Sequence, residues 1–151
     1  MKEDEFYLKI AQALSGCQLI EEKLKLYIAE ALELASKCIN ERMPFKMKGE
    51  DYADSSLERL IHTFKKLTEN EQLVRELNNF KNERNFLSHK GITHCLDYEG
   101  ELSASAAAEI NERIENIKSE SSRLLIAIHK EANKFRCHLY FWDVGERSQQ
   151  K

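Results

Sequence analysis

Residues 6 to 38, FYLKIAQALSGCQLIEEKLKLYIAEALELASKC, decide the fold. Phe6, Ile10, Ala13, Cys17, Ile20, Leu24, Tyr27, Ala31, Leu34 and Cys38 recur in alternating steps of four and three. That spacing is a heptad seam, and it predicts one long helix with an apolar stripe suited to a helical bundle. Gly16 sits beside the seam, where glycine costs about 1 kcal/mol relative to alanine, and marks a place for a kink. No proline or turn cluster interrupts the run before Asn40. The only proline of the chain, Pro44, and Gly49 then make residues 40–53 a connecting loop.

Three further helices follow from the same reasoning. Ser55 and Glu58, backed by Asp54, form a capping box that opens a short helix with the stripe Leu57, Leu60, Ile61, Phe64 and Leu67. Thr68 and Glu71 form another, opening a helix through Leu73, Leu77, Phe80, Arg84 and Leu87, with Gly91 placed to terminate it. Residues 91–102, GITHCLDYEGEL, have no helical period and read as a loop that holds at most a short hairpin. Ser103 or Ser105 caps the last long helix, whose seam is Ala107, Ile110, Ile114, Ile117, Ser121, Leu124, Ile128 and Phe135. The expected fold is all-α: an antiparallel four-helix bundle with two long and two short helices, one domain over residues 1–143, and a frayed tail over 144–151.

Composition agrees. The 151 residues are 42% hydrophobic and 32% charged, with one proline and five glycines, too apolar for disorder and too polar for a membrane protein. A formal charge of -3 excludes a protein that coats nucleic acid by bulk charge, but leaves room for a local basic site. MKEDEFYLKI has no apolar core of a secretory signal. The longest apolar run, Leu124 to Ile128, is far too short to span a membrane. The four cysteines, Cys17, Cys38, Cys95 and Cys137, show no CxxC spacing. Cys17 and Cys38 on one helix lie roughly 31 Å apart, beyond disulfide reach. A reduced, cytoplasmic setting is expected.

One residue breaks the pattern. Arg84 takes a seam position on the third helix, and an inward guanidinium needs an acidic partner, a bound anion or a subunit interface. Glu21, beside the first seam, is the natural partner within the chain. The neighbourhood, KNERNFLSHKG over residues 81–91, adds chemistry. Asn85 and His89 are four apart and share a face. Arg84 stands about 140° from His89 around an ideal helix, so the two do not converge neatly within one chain. Lys81, Arg84 and Lys90 outnumber Glu83. An always-charged arginine, a titratable histidine and an amide are suited to holding and cleaving a phosphodiester.

Here the sequence resembles the HEPN family (higher eukaryotes and prokaryotes nucleotide-binding domains). Its signature is an arginine, commonly followed by a polar residue, then a histidine after four to six positions. Arg84, Asn85 and His89 match the R-N-x-x-x-H form. The resemblance implies a metal-independent endoribonuclease of the toxin–antitoxin, antiphage or stress type. It implies a homodimer whose two motifs share one RNA cleft, with an antitoxin or companion protein as a further partner. His89 would be the general acid/base for attack by the ribose 2′-OH, Arg84 would stabilise the phosphate charge, and Asn85 would orient either. Lys81, Ser88 and Lys90 are the expected RNA contacts. No cofactor and no metal is expected. Some family toxins carry a tyrosine two residues after the histidine, where a nucleotidyltransferase modifies them; Gly91 stands there, so no such partner is expected.

The alternatives are a HEPN-like RNA-binding or protein-interaction module without catalysis, and a plain bundle in which Arg84 is a structural ion pair. His94-Cys95 and Cys137-His138 lack zinc-ligand spacing and read as chance neighbours. Cys95 has no nucleophile signature beyond His94. His62 and His129 read as partly exposed helix residues. Tyr140-Phe141-Trp142 reads as a cluster that docks the chain end, with RNA stacking as the lesser reading.

Overall fold

In a computed structural model, residues 3–141 are described. They form four α-helices: α1 (Glu3–Ile39), α2 (Leu57–Leu67), α3 (Glu71–His89) and α4 (Ala104–Tyr140). Single 3₁₀ turns, Gly49–Tyr52 and Thr93–Cys95, lie in the two longer connections. Within residues 91–102 the expected hairpin reduces to one antiparallel bridge, Leu96 to Leu102. Trp142 and the tail at 144–151 lie outside the described residues.

The core follows the seams. Phe6, Ile10, Ala13, Cys17, Ile20, Leu24 and Tyr27 of α1 are buried, as are Ala107, Ile110, Ile114, Ile117, Ser121, Leu124 and Ile128 of α4. Each large apolar side chain buried this way contributes about 1.5–3 kcal/mol. After Tyr27 the stripe leaves the heptad. Ile28 and Leu32 are buried, Ala31 and Leu34 are only half-buried, and Cys38 is exposed. A helix of 3.6 residues per turn drifts about 20° per heptad from a strict seam, and α1 is long enough for that drift to change its inward face.

The pairing of helices corrects the antiparallel expectation. Lys9 Nζ donates to Asn111 Oδ1 at 2.9 Å, and Arg136 Nε donates to Glu30 Oε2 at 2.8 Å. Rising residue numbers on α1 therefore meet rising numbers on α4: the two long helices run parallel. Arg123 with Glu76 and Arg113 with Glu83 pair in the opposite sense, so α3 runs antiparallel to α4. The parallel arrangement requires a return path, which residues 40–56 supply by passing back along α1. There Gly49 approaches so closely that an added Cβ would stand 2.4 Å from the Cβ of Ala29.

Gly16 has a similar reason. An added Cβ would lie 2.5 Å from Ser121 Oγ, so the glycine sets the close approach of α1 to α4, and the helix continues through it without a break. The caps also differ from expectation by one or two residues. Ser56, not Ser55, caps α2 by accepting from Arg59 N, and Ser55 Oγ is buried with no partner. Asn70, not Thr68, caps α3 by accepting from Leu73 N. Thr68 instead accepts from Asn70 N and donates to Glu131. Ser103 precedes α4 but makes no side-chain cap bond.

Candidate functional site

The R-N-x-x-x-H residues occupy the last two turns of α3. Phe80 and Leu87 are buried there, while Asn85, Ser88, His89 and Lys90 are exposed. The helix closes where Phe86 O accepts from Lys90 N at 2.8 Å and Gly91 N at 3.0 Å. Gly91 follows the cap as expected but for a different reason than a left-handed turn. Its φ is not positive, whereas an added Cβ would meet Leu87 O at 2.8 Å.

Arg84 is not fully inward. Its side chain keeps 33% exposure and sends Nη2 to 3.4 Å from Glu21 Oε1. Nη1 donates a long hydrogen bond, 3.5 Å, to Asn85 Oδ1. The guanidinium thus sits at the margin of the core between α1 and α3, held by one carboxylate oxygen. Cys17 lies buried nearby. Burial pushes its thiol up to about 11, with the Arg84 charge pulling down and Glu21 pushing up.

The remaining expected contacts are less available than the sequence tally implied. Lys81 Nζ lies 3.5 Å from Glu58 of α2. Ser88 Oγ donates to the Arg84 carbonyl at 2.9 Å, which occupies its proton within the helix. Only Lys90 of the three local cations has no ion pair among the described residues. Glu83, counted against the local positive charge, is taken by Arg113 in a two-pronged pair at 2.5 and 2.9 Å. The local surplus is therefore largely neutralised by carboxylates from other helices. The structure brings Arg84 to Asn85 and to Glu21. It leaves His89 one turn further on, in solvent, with no hydrogen bond to either among the described residues. Arginine, amide and imidazole lie within the last two turns of α3, with Arg84 and His89 on different sides of the helix, a set able to bind a phosphate and move a proton.

Three charged residues with structural weight escaped the sequence reading. Arg113 clamps the motif helix, pairing with Glu83 and standing 3.5 Å over the Phe86 ring. Glu30 is buried and accepts from Arg136 Nε at 2.8 Å and Tyr140 Oη at 3.0 Å. Glu131, also buried, accepts from Thr68 at 2.7 Å and Asn70 at 3.2 Å. The signal for Glu131 was the one that exposed Arg84. Glu131 falls three residues after Ile128, a charge at a seam position, whereas Glu30 lies beside the seam residue Ala31 and is buried because the stripe of α1 shifts after Tyr27.

The secondary candidates resolve simply. His62 and His129 are exposed, and His129 Nδ1 lies 3.0 Å from Arg136 Nη1. Cys95 is buried and Cys137 exposed. Among the described residues no three His, Cys, Asp or Glu side chains group as metal ligands. Leu139 is buried, but Tyr140 and Phe141 keep 64% and 67% exposure, so only the Tyr140 hydroxyl docks. No described helix is long and apolar enough to cross a membrane. Compared with family models, curated proteins and solved structures, the chain matches none.

Proposed function

We propose that the chain is a HEPN-like, metal-independent endoribonuclease acting in the cytoplasm as a homodimer, in a toxin–antitoxin, antiphage or stress system. The observation that carries the reading is the accessible last two turns of α3. Arg84 and Asn85 touch each other at 3.5 Å, and exposed His89 follows one turn later. Arg84 and His89 of one chain lie on different sides of the helix, so a second copy supplies the convergence. An RNA phosphate would take the place of the Glu21 carboxylate on Arg84. The two His89 imidazoles would provide a base for the 2′-OH proton and an acid for the leaving 5′ oxygen, yielding a 2′,3′-cyclic phosphate. Asn85 would orient the phosphate, with Lys81, Ser88 and Lys90 along its path.

The test is RNA cleavage by purified protein in EDTA, beside His89→Ala. Cleavage that ends in cyclic phosphates and disappears in the variant supports the enzyme. Equal cleavage by both proteins removes His89 from the mechanism and sinks it.

A second reading, a non-catalytic RNA-binding or protein-interaction module, is favoured by a different observation. Lys81 and Arg84 already face Glu58 and Glu21, so little positive charge is left free at the motif. RNA binding without cleavage, unchanged in His89→Ala, would select it.

A further inference from the structure

The charge that is free lies on α2. Arg59, His62, Lys65 and Lys66 are exposed along it, and none of the three cations has an ion-pair partner among the described residues. The one carboxylate within the helix, Glu58, is held by Lys81 at 3.5 Å. Among the described helices, α2 alone combines unpaired cations with no unpaired carboxylate. Lys23 of α1 and Lys130 of α4 share their helices with the unpaired Glu3, Asp4, Glu109 and Glu112. On α3 every lysine, arginine and glutamate is paired. Asp54 and Glu69 stand beyond the two ends of α2, and neither pairs with its cations.

Arg59, His62 and Lys66 stand three and four residues apart and so share one stripe of the helix. Lys65 lies beside that stripe on the α3 side, in a hollow with Val74, Arg75 and Asn78. From Arg59 to Lys66 the stripe runs about 10 Å at 1.5 Å per residue. The Arg59 guanidinium stands 5.2 Å from the centre of the Tyr52 ring, a contact that places the charge without neutralising it. The opposite face of the helix, Leu57, Leu60, Ile61 and Phe64, is buried in the core. The exposed face therefore offers charge and no apolar anchor. The three-residue connection between α2 and α3 turns the chain back on itself, and the contact of Glu58 with Lys81 sets the register of the two helices. Arg84, three residues beyond Lys81, thus lies level with the start of α2, at the Arg59 end of the stripe.

We infer that the exposed face of α2 is a phosphate-backbone track, along which an RNA strand runs from Arg84 over Arg59, His62, Lys65 and Lys66. The choice of RNA as the polyanion rests on the ribonuclease reading of Arg84 and His89. The track itself rests on the unpaired cations of α2. Long cationic side chains without apolar neighbours suit phosphates, which are held without regard to base sequence. A folded protein partner fits less well, since such interfaces have an apolar core. A lipid surface also fits less well: an amphipathic helix enters the headgroup region by its apolar face, and that face of α2 is packed inside the bundle. In a chain of net charge -3, a short track confines RNA to one path beside the motif instead of coating the whole surface.

The test is binding of a fluorescent, single-stranded twenty-nucleotide RNA to the full chain, read by anisotropy over a series of salt concentrations. Arg59→Gln/Lys66→Gln should bind about ten-fold more weakly, and the slope of log affinity on log salt should fall by about 1.4, for two phosphates at roughly 0.7 each. Lys23→Gln/Lys130→Gln removes the same charge from α1 and α4 and should change affinity less than two-fold. Circular dichroism melts within about 2–3 °C of wild type show that the fold is kept. If loss of the Arg59 contact with Tyr52 lowers the melt, Lys65→Gln/Lys66→Gln repeats the measurement at two positions outside that contact. Unchanged affinity in the α2 variants, or an equal loss in the control, overturns the track. So does a wild type that binds no RNA, or that binds oligoglutamate or phosphatidylserine vesicles more tightly than RNA. Cleavage separates this inference from the reading it rests on. RNA binding that depends on α2, without cleavage that depends on His89, keeps the track and sinks the nuclease. Cleavage that depends on His89, with binding indifferent to α2, does the reverse.

Discussion

The Arg84 guanidinium is held to Glu21 by a single contact, Nη2 to Oε1 at 3.4 Å, between side chains 33% and 19% exposed. A long, one-sided, partly solvated pair adds little to stability, because water already screens it and both side chains lose rotamer freedom to make it. Burying a well-formed pair would be another matter.

Arg84→Ala should therefore cost about 1 kcal/mol or less in urea unfolding, while removing RNA cleavage. A loss of about 3–5 kcal/mol would identify a structural ion pair and overturn the functional reading. Glu21→Gln should be similarly mild, and by freeing the guanidinium it should tighten RNA binding.

Much of the fold was legible because seams are local signals. The four helices and most of their buried positions follow from residue spacing. Direction was not legible. Nothing in the seams of α1 and α4 distinguishes parallel from antiparallel packing; that is set by Lys9 meeting Asn111 and Glu30 meeting Arg136, contacts more than a hundred residues apart in the chain. Caps were misplaced because Ser55 and Ser56, or Thr68 and Asn70, compete locally for the same amides, and the tertiary partner decides: Thr68 is drawn to Glu131. At the candidate site the motif residues were readable, and so was Glu21. The neutralisation of Lys81 and the clamp of Arg113 on Phe86 were not, since both come from other helices.

Gly16 and Ser121 should behave as a coupled pair. Alanine at 16 gains helix propensity worth about 1 kcal/mol but drives its Cβ to 2.5 Å from Ser121 Oγ and 3.1 Å from its Cβ. Gly16→Ala is expected to destabilise by about 1–3 kcal/mol through overpacking. The same change in a Ser121→Ala background loses the closer clash and should cost about 1 kcal/mol less, a coupling measurable in a double-mutant cycle. Simple additivity would mean that α1 and α4 move apart freely here.

The thiols should divide into two classes. Cys38 and Cys137 are exposed, Cys17 and Cys95 buried. Burial raises both buried thiols, Cys17 to about 11, Cys95 by desolvation first and then by Glu109. A thiol reagent at pH 8 should label two cysteines rapidly in the native protein and all four only after unfolding. Rapid labelling of three or four would show that the packing around Cys17 and Cys95 opens readily.

Glu131 gives the clearest dependence on pH. Burial pushes its carboxyl up, but hydrogen bonds from Lys134, Thr68 and Asn70 outweigh burial and bring it below the ordinary value of 4.5. A carboxyl depressed on folding adds stability that is present in full above the unfolded-state value. It is lost as pH falls through the lower, folded one. Its partners make the effect structural: Asn70 caps α3, and Thr68 ends α2, so one carboxylate ties the α2–α3 corner to α4. Glu131→Gln should cost about 1–3 kcal/mol at pH 7, because a neutral amide replaces a charged acceptor of several donors. As pH falls through the lowered folded-state value, wild type protonates the same group and the gap between the two proteins should close. Urea unfolding of both proteins at pH 7, 5, 4 and 3 measures that convergence. A gap that stays constant across the series would mean that Glu131 acts through packing rather than charge.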